Sequence, residues 1–146
     1  MEYRKENALP VIPISRSLTY VAQTHAKDLA INRPDTGGCN AHSWSSAGNW
    51  TSCCYTPDHA QAKCMWNKPR ELTSYKGNGY EIACRIYGSR GDISMSAENA
   101  LQSWKTSSAH NAVIINQGIW KNKWNAIGVG ICKGFAVAWF GKEFEN

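Results

Sequence analysis

Leu18, Val21, Ala22, His25, Ala26 and Leu29 recur at the spacing of one helical face, and Ser15 stands where an N-cap is needed. This predicts an amphipathic helix from Ser15 to the turn-rich Asn32-Arg-Pro-Asp-Thr-Gly-Gly38, with His25 on its buried side. A core histidine bonded to a backbone carbonyl is the simpler reading of such a ring, and a ligand is the alternative. Ala97, Ala100, Leu101 and Trp104 repeat the helical spacing behind Ser96, with Glu98 in the first turn, where the helix dipole suffices to explain it. Beyond Trp104 the serines at 107 and 108 break the helix, and a new turn opens at His110, fixing an imidazole at an element boundary. Thr56-Pro57-Asp58 predicts a short helix through Trp66, stopped by Lys68-Pro69, with His59 solvated in its first turn. The first eleven residues, broken by Pro10 and Pro13, read as an arm on the surface.

Elsewhere the period is that of strands. After the Gly77-Asn78-Gly79 turn, Tyr80 to Tyr87 reads as extended, placing Glu81 and Arg85 on one face. Ile127–Cys132 and Phe135–Phe140 flank Lys133-Gly134, a connection suited to a hairpin. Gly128 and Gly130 share a sheet face and make room for a bulky neighbour there, with Trp120 and Trp124 as candidates. Helices, an irregular loop and a terminal hairpin predict an α+β domain with helices covering an antiparallel sheet.

Composition narrows the setting. A chain of 146 residues is one domain, able to bury about two thirds of its unfolded surface. Its six cysteines contain no CxxC, which argues for disulfides in an oxidising compartment over zinc ribbons or redox motifs. Cys53 and Cys54 are neighbours and should reach different partners. Of about fifteen pairings, the expected set bridges Cys39, Cys53, Cys54 and Cys64 locally and closes the long loop with Cys84 and Cys132. Secretion would place a signal peptide, now removed, ahead of Met1. The charge of +5 is spread singly, which argues against a nucleic-acid surface, and no apolar run approaches a membrane span. Asn49-Trp50-Thr51 matches the glycosylation sequon, and Arg90-Gly91-Asp92 matches an adhesive tripeptide short enough to arise by chance.

The four histidines at 25, 42, 59 and 110 form no local metal motif, so a metal site must be assembled from distant segments. His42 with His110 is the best pair. Two neutral imidazoles can hold Zn²⁺ with water in the open positions, and Glu81 could orient or deprotonate that water, provided its face meets a histidine.

His25-Ala26-x-Asp28, His42-Ser43, Gly79-Tyr80-Glu81-Ile82-Ala83, Trp104-x-x-Ser107-x-x-His110 and Ile127-Gly-Val-Gly130 resemble, in order, the landmarks of the CAP superfamily. That family comprises the cysteine-rich secretory proteins, antigen 5 and pathogenesis-related proteins, also called SCP domains, and the Trp-x-x-Ser-x-x-His form is similar to its bacterial branch. The resemblance spans roughly residues 7 to 142. It implies a single CAP/SCP-like domain over 1–146, with an arm at 1–14 and a Cys-rich insert at 39–64. The implied fold is a three-layer α-β-α sandwich around a central antiparallel sheet, with a large open cleft carrying two His and two Glu. It further implies a divalent metal, often zinc, on His42 and His110, with Glu81 as one acid and Ser43, Tyr80 and Ser107 lining the cleft. Two departures stand out. Ungapped matching to Gly-Glu-Asn-Ile puts Tyr80 where the family has Glu, so Glu81 needs a one-residue shift. Lys105-Thr-Ser-Ser108 lacks the acid that often follows the helix Trp, and Glu98 lies too far back to replace it.

Three functions follow from this reading. One is a secreted binding module whose cleft holds a metal and a small lipid, glycan or peptide. Another is a metal-dependent hydrolase using His42, His110 and Glu81, with Glu81 as its catalytic carboxylate. The third is a disulfide-stapled secreted protein that acts on a partner without a metal.

Overall fold

The Lys133-Gly134 hairpin builds the centre of the sheet. Strands β2 (Ala126–Cys132) and β3 (Phe135–Gly141) pair antiparallel from Ala126↔Gly141 to Cys132↔Phe135, and β1 (Tyr80–Arg85) adds to the other side of β3, giving the order β1-β3-β2. The computed structural model describes residues 1–86 and 94–145, so the Arg90-Gly91-Asp92 tripeptide lies outside the described residues. Around the sheet lie α1 (Glu2–Glu6), α2 (Arg16–Asn32), α3 (Ala62–Leu72), α4 (Ala97–Thr106) and α5 (Ser108–Ile114), with a short 3₁₀ turn at Gly118–Trp120.

β3 is buried throughout, which is why Phe135–Phe140 is a continuous apolar run without alternation. Its side chains divide by period two. Phe135, Val137 and Trp139 join a core with Leu18, Val21, Ala22, Leu29 and Met65, from α2 and α3. Ala136, Ala138 and Phe140 join a second core with Ala100, Trp104, Val113 and Ile114, from α4 and α5. Helices therefore cover both faces of the α+β sheet, and no described helix is long and apolar enough to cross a membrane.

Local capping chemistry holds where the sequence placed it. The Ser15 hydroxyl accepts from Leu18 N–H at 2.9 Å, Ser96 from Asn99 N–H at 3.0 Å, and Ser107 caps α5 at His110 N–H.

Four expectations change. A Cβ at Gly128 would stand 2.1 Å from the Leu18 carbonyl carbon, and one at Gly130 2.2 Å from the Ala22 oxygen, so the glycines admit the backbone of α2 itself. Trp120 and Trp124 lie elsewhere, packed against Tyr80 and, for Trp124, against Phe140. Helix α3 begins at Ala62, since His59 takes a left-handed backbone (φ 59°) that interrupts any helix opened at Thr56, and it runs past Pro69 to Leu72. The arm carries α1, whose Tyr3 hydroxyl donates to Asn111 Oδ1 at 2.8 Å and whose Arg4 reaches Ile114 and Asn116.

The fourth change concerns cysteines. The local bridges form as Cys39–Cys54 and Cys53–Cys64, whereas Cys84 and Cys132 are free. These two lie on β1 and β2, with β3 between them, and they pack into different cores. Two strand spacings, about 9–10 Å, exceed the reach of a disulfide. Burial raises the Cys84 thiol pKa to about 11, which keeps it an unreactive thiol. Peptide mapping without reductant is expected to recover the two local bridges, and alkylation of the denatured protein to label Cys84 and Cys132. Removing the 11-residue loop closure with Cys53→Ser/Cys64→Ser is expected to lower stability by about 2–3 kcal/mol in urea unfolding.

Candidate functional site

Two side chains one turn apart on α2 organise the site. Asp28 is buried; its Oδ2 accepts from Ser45 N–H at 2.9 Å and its Oδ1 from the Ser45 hydroxyl at 2.5 Å. His25 Nε2 lies 2.9 Å from the Ser43 carbonyl oxygen. A carbonyl only accepts, so Nε2 carries the proton and donates. Together these contacts pin residues 42–45 to the helix, and the 53–55 segment adds a second anchor, because the Ser43 hydroxyl accepts from Tyr55 N–H at 2.8 Å. The His25 ring stacks on Trp44 at 4.1 Å between centroids and meets the edge of Trp139 at 6.1 Å.

Glu81 enters from β1, opposite Trp139, on the face turned toward α2. Its Oε2 contacts His25 Nδ1, and its Oε1 lies 2.7 Å from His42 Nδ1. The side chains of Glu81 and His25 are fully buried, while that of His42 keeps 19% of its surface exposed. Burial alone would raise the Glu81 pKa. The charge and hydrogen bond of His25, then those of His42, outweigh burial and hold it below the usual carboxylate range. An ionised carboxylate accepts at both oxygens, so His42 Nδ1 donates to Oε1. In neutral His42 the lone pair is then on Nε2.

His42 and Glu81 border a cleft of about 240 Å³ whose walls include Tyr55, His59, Met65, Trp66, Tyr80, Ile119 and Trp120. Ile119 is 81% exposed at its rim. One wall comes from the doubly bridged 39–64 segment and the start of α3, the other from Val113 of α5 and the 3₁₀ turn. The Tyr55 hydroxyl lies 3.0 Å from His59 Nδ1, and its pKa is raised by burial and then by the Glu81 charge.

His110 lies one helical turn before Val113 on α5, half-buried. Burial, and then the nearness of His42, lower its pKa below the ordinary imidazole value. Among the described residues, no group of three or more His, Cys, Asp or Glu side chains is arranged to hold a metal. His42 lines the cleft, whereas His110 is not among its lining residues. The Glu81-to-His42 contact is the kind of outer-shell bond that orients a metal-binding histidine.

Of the expected cleft-lining residues, Tyr80 borders the cleft, with its ring edge-to-face against Trp120. Ser43 is fully buried behind the wall, where its hydroxyl and carbonyl serve Tyr55 and His25. Ser107 is committed to capping α5. His25 makes the carbonyl contact expected of a core histidine and also half of the Glu81 clamp, and the second role is invisible along the chain because Glu81 lies 56 positions away. His59, read as merely solvated, borders the cleft; its spacing of four from Tyr55, just after the paired cysteines, was the available signal.

No protein-family model matches the sequence, and no curated protein matches it. Among solved structures it is similar to an extracellular protein containing a SCP domain from Bacillus anthracis str. Ames, with a TM-score of 0.60 and 20% sequence identity. The match covers 97% of this chain and 37% of that longer one. The chain has the fold of an SCP domain.

Proposed function

We propose that the chain is a secreted, single-domain SCP-like binding module in which His42 at the cleft wall and the neighbouring His110 of α5 take one divalent ion, Zn²⁺ first, and whose cleft admits a small ligand between Trp66, Ile119 and Trp120. The observation that carries this reading is the hydrogen bond from His42 Nδ1 to the buried Glu81, which leaves Nε2 as the free ring nitrogen of a partly exposed histidine. The lowered proton affinity of His110 supports a second neutral ligand at physiological pH. A bound Zn²⁺ would supply Lewis acidity toward an oxygen or nitrogen atom of the ligand. Two disulfides support secretion, since such bonds persist in oxidising compartments, and the similar Bacillus anthracis protein is extracellular.

Binding is favoured over hydrolysis by the state of Glu81. Both of its oxygens are engaged by imidazoles and its side chain has no exposed surface, so it has no free oxygen with which to take a proton from water. Calorimetric titration of the metal-free protein is expected to show one Zn²⁺ per chain. His42→Ala and His110→Ala should each weaken uptake by roughly a hundredfold, and Glu81→Gln by about tenfold or more, the usual range for an outer-shell partner. Uptake unchanged in either histidine variant, or no uptake by the folded wild type, contradicts the reading.

A further inference from the structure

Strand β2 is an edge of the sheet, and its outer side is covered only at one end. The Ile127 N–H donates to the Pro13 carbonyl at 3.0 Å, and the Ile127 carbonyl accepts from Ser15 N–H at 2.8 Å, so the backbone of Ile127 faces away from β3. Strand periodicity turns the N–H and C=O of Val129 and Ile131 the same way, and those of Gly128 and Gly130 toward β3. The covering segment stops at Ser15, which caps α2 and carries the chain off the sheet. Among the described residues, none hydrogen-bonds the backbone of Val129 or Ile131 on this outer side. The two residues are 46% and 40% exposed.

Natural sheets blunt such an edge with charged residues, proline, a bulge or a covering segment. Ala126–Cys132 has no charged residue and no proline, it pairs with β3 in unbroken register, and its cover ends at the isolated parallel bridge Ile14↔Ile127. The exposed groups are half of a hydrogen-bond ladder, and what completes a ladder is another extended backbone. The β2 strand of a second copy is sterically excluded. Helix α2 rests directly on β2, since a Cβ at Gly128 or Gly130 would run into its backbone. Pairing two β2 strands at about 4.8 Å would bring two such helices to a similar separation, well inside the roughly 8–10 Å that packed helices need. The occupant is therefore an extended peptide with no helix lying over it.

We infer that the outer edge of β2 is a docking site for an extended peptide, which adds to the sheet as a fourth strand hydrogen-bonded to the backbone of Val129 and Ile131. Its side chains alternate in character. Those on the face of Val129 and Ile131 meet aliphatic groups and are aliphatic themselves. Those on the other face run beside α2, held low on the sheet by the two glycines, and are small and polar. The edge shares no residue with the His42 cleft, so it stands or falls separately from the metal reading.

The capped peptide acetyl-Thr-Val-Thr-Val-Thr-amide, titrated into the whole ¹⁵N-labelled chain and followed by amide shifts and hydrogen exchange, tests the inference. In the free protein the amides of Val129 and Ile131 should exchange quickly, while those of Gly128 and Gly130, bonded to β3, are protected. Peptide should bind saturably and slow exchange at Val129 and Ile131 by about tenfold at nine-tenths occupancy, because only the free fraction exchanges. The same peptide N-methylated at every residue keeps its side chains but loses its donors, and should bind roughly tenfold or more weakly. Val129→Pro removes an outward N–H and should abolish binding. Ile131→Lys places a charge at an exposed position without touching the β3 ladder, so its weakened binding does not depend on the proline variant folding well. Slow exchange at Val129 and Ile131 in the free protein, equal binding of the N-methylated peptide, undiminished binding in Ile131→Lys, shifts confined to the His42 cleft, or no binding by the folded wild type would each overturn the assignment.

Discussion

Replacing Glu81 with alanine is expected to destabilise the protein by about 3–5 kcal/mol, the usual cost of removing one partner from a buried charged pair. The loss leaves His25 enclosed between Trp44 and Trp139 with Nδ1 facing a void, and it frees His42 from the carboxylate that orients it. Glu81→Gln keeps the volume and one acceptor and should cost less. The pH dependence has a definite sign. The folded pKa of Glu81 is depressed, so its contribution is fully present above the unfolded carboxylate value, about 4.3, and is lost as pH falls through the lower folded value. Urea unfolding followed from pH 7 to pH 3 should show the wild type losing stability faster than Glu81→Gln over the acid part of that range. Equal slopes, or an alanine variant as stable as the wild type, would mean that the clamp contributes nothing.

Gly130→Val is expected to be as damaging, by about 3 kcal/mol or more, since overpacking against backbone is relieved only by moving a whole element. A branched side chain there runs into the Ala22 carbonyl and Gln23 nitrogen of α2, with no flexible side-chain end to yield. Displacing α2 shifts His25 and Asp28 together, so the same substitution should also loosen the 42–45 segment and weaken metal uptake. Val129→Thr, on the other face of the same strand and partly exposed, is the control and should change stability by less than about 1 kcal/mol. Thermal unfolding of the two variants side by side checks both statements.

The parts of the molecule legible in the sequence are those governed by near neighbours. Helix α2 with Ser15, helix α4 with Ser96, the break at Ser107 and the hairpin around Lys133 each depend on residues within a few positions, and each formed where its pattern stands. The condition placed on Glu81, that its face meet a histidine, is satisfied twice over. What was not legible depends on distant packing or on one unusual backbone angle. Nothing local distinguishes glycines that admit a helix from glycines that admit a tryptophan, and only the helix crossing decides it. The left-handed conformation at His59 moved the start of α3 by half a dozen residues while every capping residue at Thr56–Asp58 looked correct. The thiols of Cys84 and Cys132 stay apart because β3, contributed by the last residues of the sheet, inserts between their strands.

The Tyr80 question resolves through the same register logic. Period two turns Tyr80 toward Trp120 and Trp124 and Glu81 toward His25 and His42, so the acid that meets the histidines is Glu81. A shift of one residue along β1 would exchange the two and leave two imidazoles with a phenol between them.

All of the site's proposed chemistry depends on which nitrogen of His42 carries its proton. Long-range ¹H–¹⁵N NMR correlation of the imidazole rings in metal-free protein near pH 7 reads this directly. Neutral His42 protonated at Nδ1, with Nε2 bare and sensitive to added Zn²⁺, is the expected result. His42 protonated at Nε2 alone would mean that Glu81 does not hold the ring, and the account of the cleft would be wrong.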